Sequence, residues 1–152
     1  MAVVLTQEEA EELLKMLKRC VLKVLNFPSL GKRADFDVTG INDKSEKFII
    51  SVNRKNKEAH KVSFVARYRQ GDVRLLRLDL NPSEKHTNPE DCGGEVIEGT
   101  HLHIYREGFH DKYAIPFVID DVGLENAFIT FLQKFNVVEI PKIRTQLTAE
   151  EV

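Results

Sequence analysis

Apolar residues at helical spacing open the chain. Leu13, Leu14, Leu17, Val21 and Leu25 recur three or four positions apart, with Met16, Cys20 and Val24 beside them, and this stripe predicts an amphipathic helix over about 6–25. Thr6, Gln7, Glu8 and Glu9 at its start read as a capping box, in which the threonine hydroxyl takes a backbone amide and Glu9 reaches back. The stripe is expected to pack on a sheet. Phe27-Pro28 and Gly31 punctuate its end.

The period then changes from 3.6 to 2. Segments 33–41, 46–54, 60–69 and 73–80 each alternate: Phe36 and Val38 against Asp35 and Asp37, Phe48, Ile50 and Val52 against Ser51 and Asn53, Val62, Phe64 and Ala66 against Ser63 and Arg67, and Leu76, Leu78 and Leu80 against Arg77 and Asp79. Short, turn-rich links predict antiparallel neighbours with one apolar and one polar face. Residues 81–98 break the pattern with two Asn-Pro pairs and Gly93-Gly94. The prolines restrict the residues before them, so an ordered lid is expected there. In residues 99–112, His101, His103 and Tyr105 alternate with Leu102, Ile104 and Arg106 ahead of a Glu107-Gly108 turn. A strand there puts both imidazoles and the phenol on one face. Another strand is predicted over 111–119 and a second helix over 120–135, with Leu124, Phe128, Phe131, Leu132 and Phe135 on one side. A frayed polar tail is predicted over 140–152. The fold class is therefore α+β: an N-terminal helix, a curved antiparallel sheet of five to six strands, and a C-terminal helix packed on its apolar face.

Composition changes this picture little. A chain of 152 residues fits a single domain, 1–152, and 42% hydrophobic with 30% charged residues excludes wholesale disorder. A formal charge of -2 gives no global attraction to polyanions, so any nucleic-acid contact has to come from a local basic stripe. No apolar run is long enough to span a bilayer, and the N-terminus turns acidic where a signal peptide would stay apolar, so a cytoplasmic protein is expected. Cys20 and Cys92 lack a C-x-x-C spacing, and reduced thiols are expected.

The candidate chemistry lies on the polar face. If the helices cover the apolar face, the other collects Ser51, Asn53, Ser63, Arg67, Arg77, Asp79, His101, His103 and Tyr105, and the 81–98 loop brings His86 near them. Metal-independent cleavage of RNA, or action on another phosphate ligand, is the leading reading and needs no cofactor. In it His101 and His103 divide the acid and base roles with His86 as auxiliary imidazole, Arg77 and Arg67 clamp the anion, Asp79 orients an imidazole, and Tyr105 stacks or donates a proton. A divalent-metal site, zinc or another ion, is a further reading: H-x-H supplies two ligands, and His86 and Glu107 complete the set, with Asp91 and Cys92 as other candidates. The plain alternative is a solvated strand face carrying an Arg77–Asp79 ion pair.

Two resemblances attach to these residues. His101-x-His103-x3-Glu107 is similar to part of the first motif of the cupin barrels, whose two histidines and glutamate bind a divalent metal. It departs in the position of Gly94, in having no glycine at the expected place after Glu107, and in having no histidine after His110 for the second motif. Arg77-x-Asp79-x-Asn81-Pro82, His86-x-Asn88-Pro89-Glu90 and Gly99-x-His101-x-His103-x-Tyr105-x-Glu107-Gly108 together resemble a family of small bacterial and phage or prophage proteins of unknown function. That resemblance implies no activity. It implies a mobile-element setting, from which comes the remaining reading, a non-enzymatic inhibitor or interaction protein that binds a protein partner.

Overall fold

The computed structural model describes residues 4–54, 60–119 and 123–145. It is an α+β structure with two helices and a seven-stranded antiparallel sheet. Helix α1 spans Gln7–Lys15 and carries the anticipated box, with Glu9 N donating to the Thr6 hydroxyl and Thr6 N to the Glu9 carboxylate. It stops about ten residues earlier than its apolar periodicity predicts. Lys18–Cys20 is instead strand β1 and Val24–Phe27 strand β2.

The reason for the early stop is tertiary. Lys18 is fully buried, and its ammonium donates to the carbonyls of Leu14, Met16 and Phe135 at 3.1, 2.8 and 2.8 Å while lying 3.9 Å from the Phe135 ring centre. Its backbone N–H donates to Asn136 O and its carbonyl accepts from Val138 N. Side chain and backbone together fix an extended Lys18, which no continuing helix could provide. Burial pushes the Lys18 ammonium down to about 7. Opposing this, three carbonyls near the ends of both helices offer one acceptor for each ammonium proton, and the charged form is the one that satisfies all of them.

The sheet follows the period-two segments closely: β3 is Arg33–Gly40, β4 Lys47–Asn53, β5 Val62–Tyr68 and β6 Val73–Leu80. After the loop hairpin formed by β7 (His86–Thr87) and β8 (Val96–Ile97) come β9, His101–Ile104, and β10, Ala114–Pro116. The spatial order is β1-β3-β4-β5-β6-β9-β10, one strand more than expected because β1 comes from the segment assigned to the first helix. Helix α2, Leu124–Lys134, lays Phe128 against Phe27, Phe36 and Phe64 with ring centres 5.1 to 6.3 Å apart. This aromatic layer is the centre of the core, and its edge and tilted contacts are the preferred geometry for such rings.

Part of the tail is not frayed. Strand β11, Lys142–Thr145, pairs in parallel with β2; the rest of the predicted tail lies outside the described residues, as do 120–122 at the start of the second predicted helix. Among the described residues no helix is long and apolar enough to cross a membrane.

Replacing Lys18 by methionine keeps the length of the side chain and strands three carbonyls, and should cost about 2–4 kcal/mol. Thermal unfolding checks this: a melting temperature equal to wild type would mean that the carbonyls find other donors.

Candidate functional site

Cross-strand register assembles the site. Along one polar row the partners run Arg33, Asn53, Ser63, Asp79, His101 and along the next Asp35, Ser51, Val65, Arg77, His103. No bulge intervenes before His101, so Asp79 and Arg77 face His101 and His103 directly, and all four side chains share one side of the sheet. The apolar partners Leu78–Leu102 and Leu76–Ile104 take the other side.

The lid delivers the third imidazole. His86 begins the β7–β8 hairpin, and Asn88, buried two residues on, bolts that hairpin to β10: its Oδ1 accepts from Ala114 N and its Nδ2 donates to Ala114 O, both at 2.8 Å. An asparagine preceding Pro89 is biased to the extended backbone this arrangement needs. Ring centres of His86, His101 and His103 lie 4.7 to 5.3 Å apart. One nitrogen from each falls within 4.8 Å of the other two.

Each ring is oriented by a backbone carbonyl. His101 Nδ1 donates to Gly99 O at 2.9 Å, His103 Nδ1 to Asp111 O at 2.7 Å, and His86 Nε2 to Lys112 O at 2.9 Å. Gly99 sits at φ 80°, a left-handed conformation suited to glycine, which turns its carbonyl back toward the ring two residues on. With those nitrogens protonated, a neutral ring carries its lone pair on His101 Nε2, His103 Nε2 or His86 Nδ1, while a charged His101 or His103 has an Nε2–H to give to Asp79. The carbonyls thus commit one nitrogen of each ring and leave the other for the interior of the cluster.

Charged groups answer them. Asp79 Oδ2 lies 3.4 Å from both His101 Nε2 and His103 Nε2. Arg77 grips the same carboxylate in bidentate fashion, Nε to Oδ1 at 3.1 Å and Nη2 to Oδ2 at 2.9 Å, and its Nη2 also donates to His103 Nε2 at 3.2 Å. Ser63 donates to Asp79 Oδ1, and Arg77 Nη1 reaches Asp111 at 3.3 Å. Burial alone would raise the Asp79 carboxyl, but the two imidazoles against it and the Arg77 charge outweigh it and hold the group well below the usual carboxylate range. The hydrogen bond to Asp79 raises the pKa of His101 against the effect of burial. Desolvation, then the neighbouring His103, lowers that of His86.

Other expected members stand apart. Tyr105 is buried in the hydrophobic core, its hydroxyl donating to Leu5 O at 2.8 Å and accepting from Leu5 N. Its alternation with the histidines fails because β6 bulges at Leu75, where the register with β5 shifts, and Tyr105 N bonds to Leu75 O beyond the last regular pair. Glu107 accepts from Gln7 N at 2.7 Å at the start of α1, so it caps a helix and is no ligand beside the imidazoles. Nor do Asp91 and Cys92 join the histidine cluster among the described residues. Arg67 lies further along the polar face, on Ser51 and Asp72 at 3.1 and 3.0 Å. Sequence reasoning missed Asn88 and Asp111. Asn88 had a signal in its Asn-Pro pair two residues after His86, whereas the carbonyl of Asp111 had none.

A family model covers residues 5–137. The chain belongs to DUF6978, a family of unknown function. The matched span contains every residue of the site, from Ser63 to Lys112. No curated protein and no solved structure matches the chain.

Because Asp79 accepts from Arg77 and Ser63 and lies against two imidazoles, Asp79→Asn should destabilise by about 2–4 kcal/mol. With its folded pKa depressed, the carboxylate's contribution is fully present above about pH 4, the unfolded-chain value, and is lost as pH falls toward the folded pKa. Denaturation of wild type and variant at several pH values checks this, the expected difference shrinking on acidification; a difference that grows would contradict it.

Proposed function

We propose that this protein binds a divalent transition metal, with zinc the best-suited ion, through His86 Nδ1, His101 Nε2 and His103 Nε2, with Asp79 Oδ2 as fourth ligand. The observation that carries the reading is the set of three carbonyl-oriented imidazoles. A ligating histidine characteristically donates its other N–H to a carbonyl or carboxylate, which fixes the tautomer and aims the lone pair. All three rings meet that condition. Asp79 adds a metric argument on one side: with bonds of about 2.1 Å, tetrahedral ligands lie roughly 3.4 Å apart, and Asp79 Oδ2 is 3.4 Å from His101 Nε2 and His103 Nε2. It is not within the 4.8 Å that unites the three rings, so Asp79 and His86 have to draw together on the ion. Three nitrogens and an oxygen, without thiolates, suit zinc and its neighbours better than calcium or magnesium.

The location argues for a structural role. His101 and His103 are 3% and 2% exposed, and a four-ligand set leaves no open position of the kind a catalytic zinc keeps for water. An ion there would clasp the 81–98 lid, through His86, to the central sheet. Cleavage of RNA by the imidazoles alone is less well supported, because a general acid or base must reach the substrate's oxygens and these two rings are enclosed. The inhibitor reading rests on the mobile-element setting alone, and no feature of the fold adds to it. Two free cysteines fit a reducing, cytoplasmic setting.

Purified protein should carry up to one equivalent of zinc, or take up one of cobalt with the intense visible absorption of a tetrahedral ion. His101→Ala or His103→Ala should weaken uptake at least tenfold, the range typical of lost ligands or their supports. Because His101 holds a proton more tightly than an ordinary imidazole, that proton must leave before the ion enters, so affinity should rise from about pH 6 to 8. Absence of uptake at about pH 8, toward the upper end of that range, would overturn the reading.

A further inference from the structure

The metal reading has a consequence for the groove beside the centre, and the following inference rests on that reading. Arg33, Ser51, Ser63, Arg67, Arg74 and Arg77 line an open depression of about 200 Å³ on the polar face of the sheet. Each guanidinium there meets a carboxylate: Arg33 meets Asp35 at 3.1 Å, Arg67 meets Asp72 at 3.0 Å, Arg74 meets Asp111 at 3.5 Å, and Arg77 meets Asp79 at 2.9 Å and Asp111 at 3.3 Å. Four carboxylates thus balance four guanidiniums. A surface so neutralised has little pull on an anion.

An ion among the imidazoles would upset that balance at one particular atom. Arg77 Nη2 has two acceptors, Asp79 Oδ2 and His103 Nε2, and both are ligands in the proposed centre. Ligation draws on the lone pairs that now receive Nη2, and two positive charges appear beside a groove whose own charges cancel. Arg77 Nε keeps Asp79 Oδ1 and Nη1 keeps Asp111, so the guanidinium stays at the wall with Nη2 released. Arg67, on the same wall, has a buried Nε with no acceptor among the described residues. Arg77 Nη2, so released, and the Arg67 guanidinium on the adjacent strand are then the donors the groove offers to an oxyanion, the Ser51 and Ser63 hydroxyls being committed to Asp35 and Asp79.

We propose that this groove binds a phosphoryl group, free or carried on a nucleotide, and that it does so only when the histidine centre holds its metal. Arg77 is the element that couples the two sites: in the metal-free protein it stands in for the cation beside His103 and Asp79, and in the loaded protein it turns to the anion. Coupling of this kind is reciprocal, so phosphate should also tighten metal retention.

The test is calorimetric titration of the 152-residue chain, with and without one equivalent of zinc, using inorganic phosphate in one arm and adenosine 5′-monophosphate in the other. Zinc-loaded protein should bind at least one of them, and at least tenfold more tightly than metal-free protein. Equal affinity for the two identifies the bare phosphoryl group as the ligand, and tighter binding of the nucleotide identifies the carried form. Arg77→Gln should separate the two functions in opposite directions, holding zinc more tightly because a competitor for His103 and Asp79 is gone, and losing at least tenfold in anion affinity. The wild-type comparison decides the matter should that variant not fold. Protein that takes up no zinc fails the metal reading and this one with it. Zinc-loaded protein that binds neither anion, or binds them no better than the metal-free form, overturns this inference alone.

Discussion

Three backbone carbonyls, those of Gly99, Asp111 and Lys112, dictate which way three imidazoles present their lone pairs. A neutral imidazole has one donor and one acceptor, so giving the donor to a buried carbonyl commits the acceptor to the opposite side of the ring. Three rings committed in this way around one point are unfavourable in themselves, since desolvated lone pairs repel and each lacks a partner. The surrounding charges make sense as the answer to that problem. Arg77 donates to one ring, Asp79 favours a proton on another, and the two bind each other so that neither charge is buried alone. A divalent ion answers the same problem more completely by accepting all three lone pairs at once.

The rest of the fold holds this geometry in place. The long β3–β6 meander fixes Arg77 and Asp79 in register with His103 and His101, and the aromatic layer under α2 anchors the opposite face of that sheet. Asn88 ties the lid to β10 through both backbone groups of Ala114, which sets the position of His86. The residues just past β9 have a different task. Tyr105 bonds to Leu5 and Glu107 to Gln7, so the strand that carries the histidines also seats the start of α1. One short stretch therefore serves two purposes, which explains why its motif contains polar residues that never approach the centre.

Much of this was legible in the residues because a period of two, interrupted by short turns, leaves few options for pairing. The four meander strands and the facing of His101-x-His103 on Arg77-x-Asp79 follow from alternation alone. What escaped is what alternation does not encode. A single extra residue at Leu75 sent Tyr105 into the core, although its spacing from His103 is perfect. The apolar pattern continues through Leu17, Val21 and Leu25, yet Lys18, held by carbonyls far away in the chain, ends the helix at Lys15. The parallel pairing of β2 with β11 joins segments more than a hundred residues apart and has no local signature. Carbonyl acceptors such as Asp111 O leave no trace in residue identity at all.

The carbonyl-imposed orientation of the three rings is the premise on which both the metal centre and the anion groove depend, and nitrogen-detected NMR of the histidine side chains reports it directly. In metal-free protein at about pH 8, the account predicts a proton on Nδ1 of His101 and His103 and on Nε2 of His86, each as a single species, with the shifts of the opposite nitrogens moving on addition of zinc. Reversed tautomers, or rings averaging between both forms and indifferent to zinc, would contradict it.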